Sequence, residues 1–205
     1  MTQMGFSFEG PVFKTPEQYR AAKSLPDTDA ELIQHCRKLL EEYDRTLRAA
    51  NLGFADDIAE KVRQCCIKLN GGNNFAMKCE PDGGMYRMEQ AVRAPFQAVP
   101  MWGQPGEFTI EVHGIPARVR YSGLFGTCEH GFDVTAVEWD KPFLSPTGYR
   151  SFLGIYWRHR LDPNESVEDW IVAVVETHML GTGRKPILYD IPPAVAKNWA
   201  ENHPA

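Results

Sequence analysis

The stretch Glu107-Phe108-Thr109-Ile110-Glu111-Val112-His113-Gly114-Ile115-Pro116-Ala117-Arg118-Val119-Arg120 decides the fold. Apolar Phe108, Ile110 and Val112 alternate with Thr109, Glu111 and His113, and the alternation resumes after His113-Gly114 as Ile115, Ala117 and Val119 against Pro116, Arg118 and Arg120. A period of two marks strands with one buried face. A two-residue turn at His113-Gly114 sets Val112 against Ile115, Ile110 against Ala117 and Phe108 against Val119, and leaves Glu107 opposite Arg120 on the other face. One register therefore satisfies both faces. Pro116 has no N–H to give to a ladder, so it must take an edge or a non-bonded position. A third strand over Phe132–Trp139 completes a small antiparallel sheet, because a lone hairpin is marginal in water.

Upstream the period changes to that of a helix. Thr28-Asp29-Ala30-Glu31 is a capping-box pattern ahead of Leu32, Cys36, Leu39, Leu40, Tyr43 and Leu47, which predicts a long amphipathic helix over 29–50. Phe54, Ile58, Val62, Cys65, Cys66 and Leu69 form a second stripe that stops at Gly71-Gly72. The two pair as a hairpin across Asn51-Leu52-Gly53. A shorter helix is expected near Pro16–Lys23, and a regular segment over Met85–Val92 inside an otherwise Gly-, Pro- and Asn-rich stretch, 70–106. Downstream, Ser145-Pro146 reads as an N-cap and first turn for a helix carrying Tyr149, Phe152, Leu153 and Tyr156. A further amphipathic helix starts at Ser166 with Val167, Trp170, Ile171, Val174, Val175, His178 and Met179 and ends at Gly181-Thr182-Gly183. A short element at Ile187-Leu188-Tyr189 and a helix over 193–201 follow. The expectation is an α+β protein with a mainly helical region, 1–100, followed by a three-stranded sheet covered by helices, 101–205, either as two units or one.

Composition narrows the function. The 205 residues carry a net charge of −5, and 43% of them are apolar, enough for a sizeable core. A pI near 5.7 disfavours nucleic acid as the partner, since phosphate binding ordinarily needs a basic face. No run reaches the ~18–20 apolar residues of a membrane span, and the start MTQMGFSFEG resembles no secretion signal, so a cytoplasmic location with no membrane partner is expected. Five cysteines in such a chain are expected as reduced thiols.

Chemistry concentrates in the loop from Ser122 to Gly131, where Cys128, Glu129 and His130 precede Asp133. A thiol nucleophile needs a base, and an imidazole oriented by a carboxylate supplies one, so Cys128, His130 and Asp133 are the candidates for a cysteine-dependent enzyme, with His113 or His159 as a base from elsewhere. Their closeness in sequence argues against a direct dyad, and a strand connection with Cys128 as a small apolar residue is the simpler account. Cys65, Cys66, Cys79, Cys128 and His130 lack the spacing of a zinc site, so neither metal nor cofactor is expected. Phosphate-loop, dinucleotide and serine-hydrolase motifs are absent, and Gly181-Thr182-Gly183-Arg184-Lys185 follows a helix instead of opening one. His178 sits on the apolar stripe as a packed histidine.

Gly131-Phe132-Asp133-Val134, with the following run from Lys141 to Gly154, resembles a segment of small accessory proteins of unassigned function carried on bacterial plasmids and integrative elements. That resemblance implies a protein that binds another macromolecule, in host defence, plasmid maintenance or transfer. The leading expectation is thus a non-enzymatic accessory or inhibitor protein that binds a protein complex, with Trp102, Phe125, Trp139, Tyr149, Arg150 and Trp157 as anchors, because Trp, Tyr and Arg dominate interface energetics. Arg150 could instead pair with Asp133 or Glu138 inside the fold. Local nucleic-acid binding through Arg118, Arg120, Arg150, Arg158 and Arg160 is a further alternative.

Overall fold

In the computed structural model the described residues are 23–72, 82–138, 144–145, 147–153 and 165–180. Trp139, Tyr156, Trp157, Arg158, His159, Arg160 and Cys79, the Gly181–Lys185 turn, the elements expected at 187–189 and 193–201, and nearly all of the segment at 16–23 lie outside them.

Helix α1, Asp29–Arg48, begins where its cap requires. The Thr28 hydroxyl oxygen accepts from the Glu31 amide (3.3 Å) and donates to the Glu31 carboxylate (2.7 Å). The link to α2, Leu52–Leu69, is Ala49-Ala50-Asn51, two residues earlier than the sequence suggests. Ala50 takes the left-handed turn there (φ 54°), and the Asn51 side chain accepts from the Phe54 amide. The expected glycine stop of α2 holds: the Gly71 and Gly72 amides return to the carbonyls of Lys68 and Ile67. Helix α3, Gly84–Val92, follows and is held to α1 by Arg37, which donates to the Ala91 carbonyl (2.7 Å).

Strands β1, Gly106–Val112, and β2, Ile115–Tyr121, pair in the register the alternation demands, Val112 with Ile115 through Glu107 with Arg120. The turn is of the mirror-image type that suits twisted strands, with positive φ at both His113 (52°) and Gly114 (77°). Pro116 lies in an interior strand, opposite Glu111 at the non-bonded position next to the turn, and the β2–β3 pairing begins only at Ala117. Strand β3 is Phe132–Ala136, shorter than expected.

The sheet has a fourth strand. Tyr149–Phe152, read from sequence as the first turn of a helix, is β4, antiparallel to β3, in a sheet ordered β1-β2-β3-β4. The apolar residues at 149 and 152 suit a helix, but the strand points Arg150 and Phe152 inward and Tyr149 and Ser151 outward. Ser145 caps a turn instead of a helix, donating to the Tyr149 carbonyl (2.7 Å) and accepting from its amide (3.2 Å).

The inner face of the sheet, with Phe108, Ile110, Val119, Val134 and Phe152 among its side chains, is buried. Helix α4, Val167–Leu180, capped by Ser166, covers it: Trp170 stands edge-on to Phe132 (5.4 Å between ring centroids) and His178 edge-on to Phe152 (5.5 Å). The buried apolar side chains of α1–α3, the sheet and α4 form one continuous cluster, in which each fully buried Leu or Ile contributes about 1.5–3 kcal/mol. Trp102 joins the parts: its amide donates to Asp44 of α1 (3.0 Å) and its indole N–H to the Glu165 carbonyl (3.2 Å).

Both edges of the sheet are partly occupied. Beside β1, Gln97 gives its amide to the Glu107 carbonyl (2.9 Å), and its side-chain oxygen accepts from the Thr109 amide (3.0 Å). On β4, Ser145 takes the outward backbone pair of Tyr149.

Candidate functional site

The loop from Ser122 to Gly131 leaves β2 and returns to β3, and it is shaped by close backbone approaches. Gly123 (φ 55°) lies so near the Gly103 carbonyl that a Cβ would stand 2.2 Å from its oxygen, and only glycine fits. The Leu124 amide donates to that carbonyl (3.0 Å), the His130 amide to the Gly123 carbonyl (2.8 Å), and the Ser122 hydroxyl to the Gly131 carbonyl (2.7 Å).

This arrangement sends the candidate catalytic side chains in different directions. His130, itself at φ 57°, is fully buried, with Tyr43 of α1 on Nε2 (2.7 Å) and Tyr121 of β2 on Nδ1. A neutral imidazole offers one donor and one acceptor, so one tyrosine donates to it and the other accepts from it. The Tyr43 ring stacks on the imidazole (5.7 Å) and Trp102 meets it edge-on (5.5 Å). Burial pushes the Tyr121 hydroxyl well above the ordinary phenol range, so it stays protonated in this chain of hydrogen bonds.

Cys128, by contrast, is partly exposed and lines an open cleft of about 330 Å³ at the end of the sheet. Asp133 also lines the cleft, but it is held by the outer face: its Oδ1 accepts from the Tyr149 hydroxyl (2.9 Å) and the Ser151 hydroxyl (2.6 Å). The expected nucleophile, base and orienting carboxylate are therefore not assembled. The base turns into the core with both nitrogens engaged, and the carboxylate serves Tyr149 and Ser151. His113 is at the hairpin tip, 3.8 Å from Glu176.

The expected anchors divide in a similar way. Trp102 has no exposed surface and Phe125 is buried but for its edge on the cleft, so both serve chiefly as core residues. Tyr149 is 46% exposed. Arg150 lies over the Phe152 ring (5.7 Å), not on Asp133, whose hydroxyl partners displace that pairing. Its charge and the partial burial of His178 together hold that imidazole below the ordinary histidine range, burial being the larger cause. Cys36, Cys65 and Cys66 are buried on the helical stripes, and burial drives the Cys65 thiol up to about 12. Among the described residues no three His, Cys, Asp or Glu side chains are placed to hold a metal, and no helix is long and apolar enough to cross a membrane.

The alternation sets the outer face of the sheet, with Glu107 opposite Arg120 on it, but the sequence does not single it out as a protein-binding surface. Arg118, Arg120, Asp133, Thr135, Tyr149 and Ser151 share this face, and no helix of the described residues covers it. Val137 (46%) and Leu153 (55%) are exposed beyond the ends of β3 and β4.

These features define an α+β protein with a helical hairpin sharing its core with a four-stranded antiparallel sheet, one face of which no helix of the described residues covers. Residues 105–188, which include that sheet and α4, match the family model described as KlcB third domain. The chain is 36% identical over 132 residues to Protein KlcB of Escherichia coli, which covers 63% of this chain and 28% of that protein. It is 32% identical over 135 residues to a second Escherichia coli Protein KlcB, covering 64% of this chain and 34% of that one. The matched stretch thus spans about a third or less of the length of these relatives. No solved structure matches.

Proposed function

We propose that this chain is a non-enzymatic accessory or inhibitor protein of a bacterial mobile element, of the plasmid-borne kind, and that it binds a host or defence-system protein complex. The observation that carries the reading is the outer face of the sheet, uncovered by any helix of the described residues, where a half-exposed tyrosine and two arginines stand on strands and exposed Val137 and Leu153 follow the ends of β3 and β4. Interfaces are richest in such side chains, and strands hold them with little loss of conformational freedom on binding. The similarity to Protein KlcB supports a mobile-element context. The acidic side chains interleaved on this face, Glu107, Glu111 and Asp133, weigh against a phosphate backbone as the ligand.

Affinity capture from a bacterial lysate with the wild-type chain and with Tyr149→Ala and Leu153→Asp tests the reading. A stoichiometric protein partner, lost in both variants with circular dichroism unchanged, is the expected result. No partner, or a partner indifferent to both substitutions, overturns it. The cysteine-enzyme reading has the opening of Cys128 onto the cleft in its favour and the engagement of both His130 nitrogens against it. Fast, stoichiometric alkylation of Cys128 at neutral pH would move the assignment there.

A further inference from the structure

We infer that the cleft beside the Ser122–Gly131 loop receives a carboxylate from the partner, with Arg120 as the group that binds it; this rests on the binding reading above and names the chemistry of the contact. Arg120 projects from β2 on the outer face and lines the cleft. Three carboxylates surround it, and each already has its donor. Glu107, directly across β1, pairs with Arg118 (3.7 Å). Asp133, directly across β3, accepts from the hydroxyls of Tyr149 and Ser151. Glu89, on the far wall, pairs with Arg93. Among the described residues the Arg120 guanidinium has no ion pair and no hydrogen bond.

A guanidinium is a planar fork of donors that fits a carboxylate with two parallel hydrogen bonds, and such charge-assisted pairs are the strong ones. The rest of the cleft suits the body of a side chain that bears it: Leu153 stands exposed on its lining, beside the edges of the largely buried Phe125, Phe132 and Phe152. The ligand that fits both parts is an acidic peptide segment with an apolar or aromatic neighbour to its carboxylate. A side-chain carboxylate and a chain-terminal one offer the same chemistry.

The test uses the whole chain, labelled with ¹⁵N, and four probes: acetyl-Phe-Glu-amide, acetyl-Phe-Gln-amide, acetyl-Glu-Phe with a free C-terminus, and inorganic phosphate. The glutamate probe is expected to shift the Arg120 Nε–H signal and the amides of the Ser122–Gly131 loop, and to bind at least fivefold more tightly than the glutamine probe. Tighter binding of the free C-terminal probe would assign the carboxylate to a chain end. Arg120→Gln, at an exposed strand position, should remove the difference between Glu and Gln without altering the remaining spectrum. Equal binding of the Glu and Gln probes, shifts that miss the cleft, or no binding by either would overturn the inference. Phosphate binding more tightly than any carboxylate would overturn it in favour of a phosphorylated ligand. If the captured partner is lost with Tyr149→Ala and Leu153→Asp but kept with Arg120→Gln, the binding reading stands and this inference alone fails.

Discussion

His130 carries a hydroxyl on each ring nitrogen and is fully buried. Replacing it with Phe removes the hydrogen bond each tyrosine hydroxyl makes to the ring, and places a bulky side chain with no polar atom at a left-handed backbone position. The expected cost is about 3 kcal/mol or more, read as a drop in urea-unfolding free energy. A change below about 1 kcal/mol would mean that the hydroxyls re-pair elsewhere. This site was hard to read from sequence. Cys128, His130 and Asp133 sit together in the chain and suggest one chemistry, yet the partners of His130 come from Tyr43, 87 residues away, and Tyr121, across the loop. Sequence proximity places side chains in one loop; the path of the backbone decides which way each one faces. Trp102 and Phe125 teach the same point, since an aromatic residue in a loop can close a core as readily as it can meet a partner.

At the level of elements, the hairpin was legible to the residue because two independent constraints, the alternation and the two-residue turn, admit one register. That turn supplies a direct test. Gly114 at φ 77° is in a conformation β-branched residues resist, so Gly114→Val is expected to lower stability by about 1–3 kcal/mol, while His113→Asn, which favours the same conformation, is neutral or slightly stabilising. Thermal or urea unfolding of the two variants checks both signs, and equal stability for Gly114→Val would show that the turn had changed type. Strand β4 failed as a sequence reading for the opposite reason. Four residues are too few to separate a period of two from one of 3.6, and Ser145-Pro146 mimics a helix start although its hydroxyl closes a turn. The helices were long enough, at 20 and 18 residues, for their period to be unambiguous.

Across the whole molecule, the buried side chains of the helical hairpin and the sheet form one cluster, which predicts a single cooperative transition. Far-ultraviolet signal, dominated by the helices, and near-ultraviolet signal, to which the buried Trp102 and Trp170 contribute, should fall at the same denaturant concentration; separated midpoints would show two folding units. The ionisable groups in that core also fix a pH dependence. Burial holds the proton on Cys36, Cys65 and Tyr121 in the folded chain to pH values well above those at which the unfolded chain releases it. Their contribution is therefore fully present below about pH 9 and is lost as pH rises from there, for Cys65 through about 12, by up to about 1.4 kcal/mol per pH unit per group. Unfolding free energy measured at pH 8 and pH 10.5 should show the decline, and a flat profile would refute the buried-thiol packing.

The segment around Gln97 and the hydroxyl of Ser145 have a consequence beyond the single chain. With the Glu107 carbonyl, the Thr109 amide and the backbone pair of Tyr149 taken, growth of the sheet by strand stacking between copies finds a shortened template at each rim. Side chains then carry more of the burden of telling one neighbour from another, so a single substitution on an exposed strand position should redirect what the protein recognises while leaving its fold untouched.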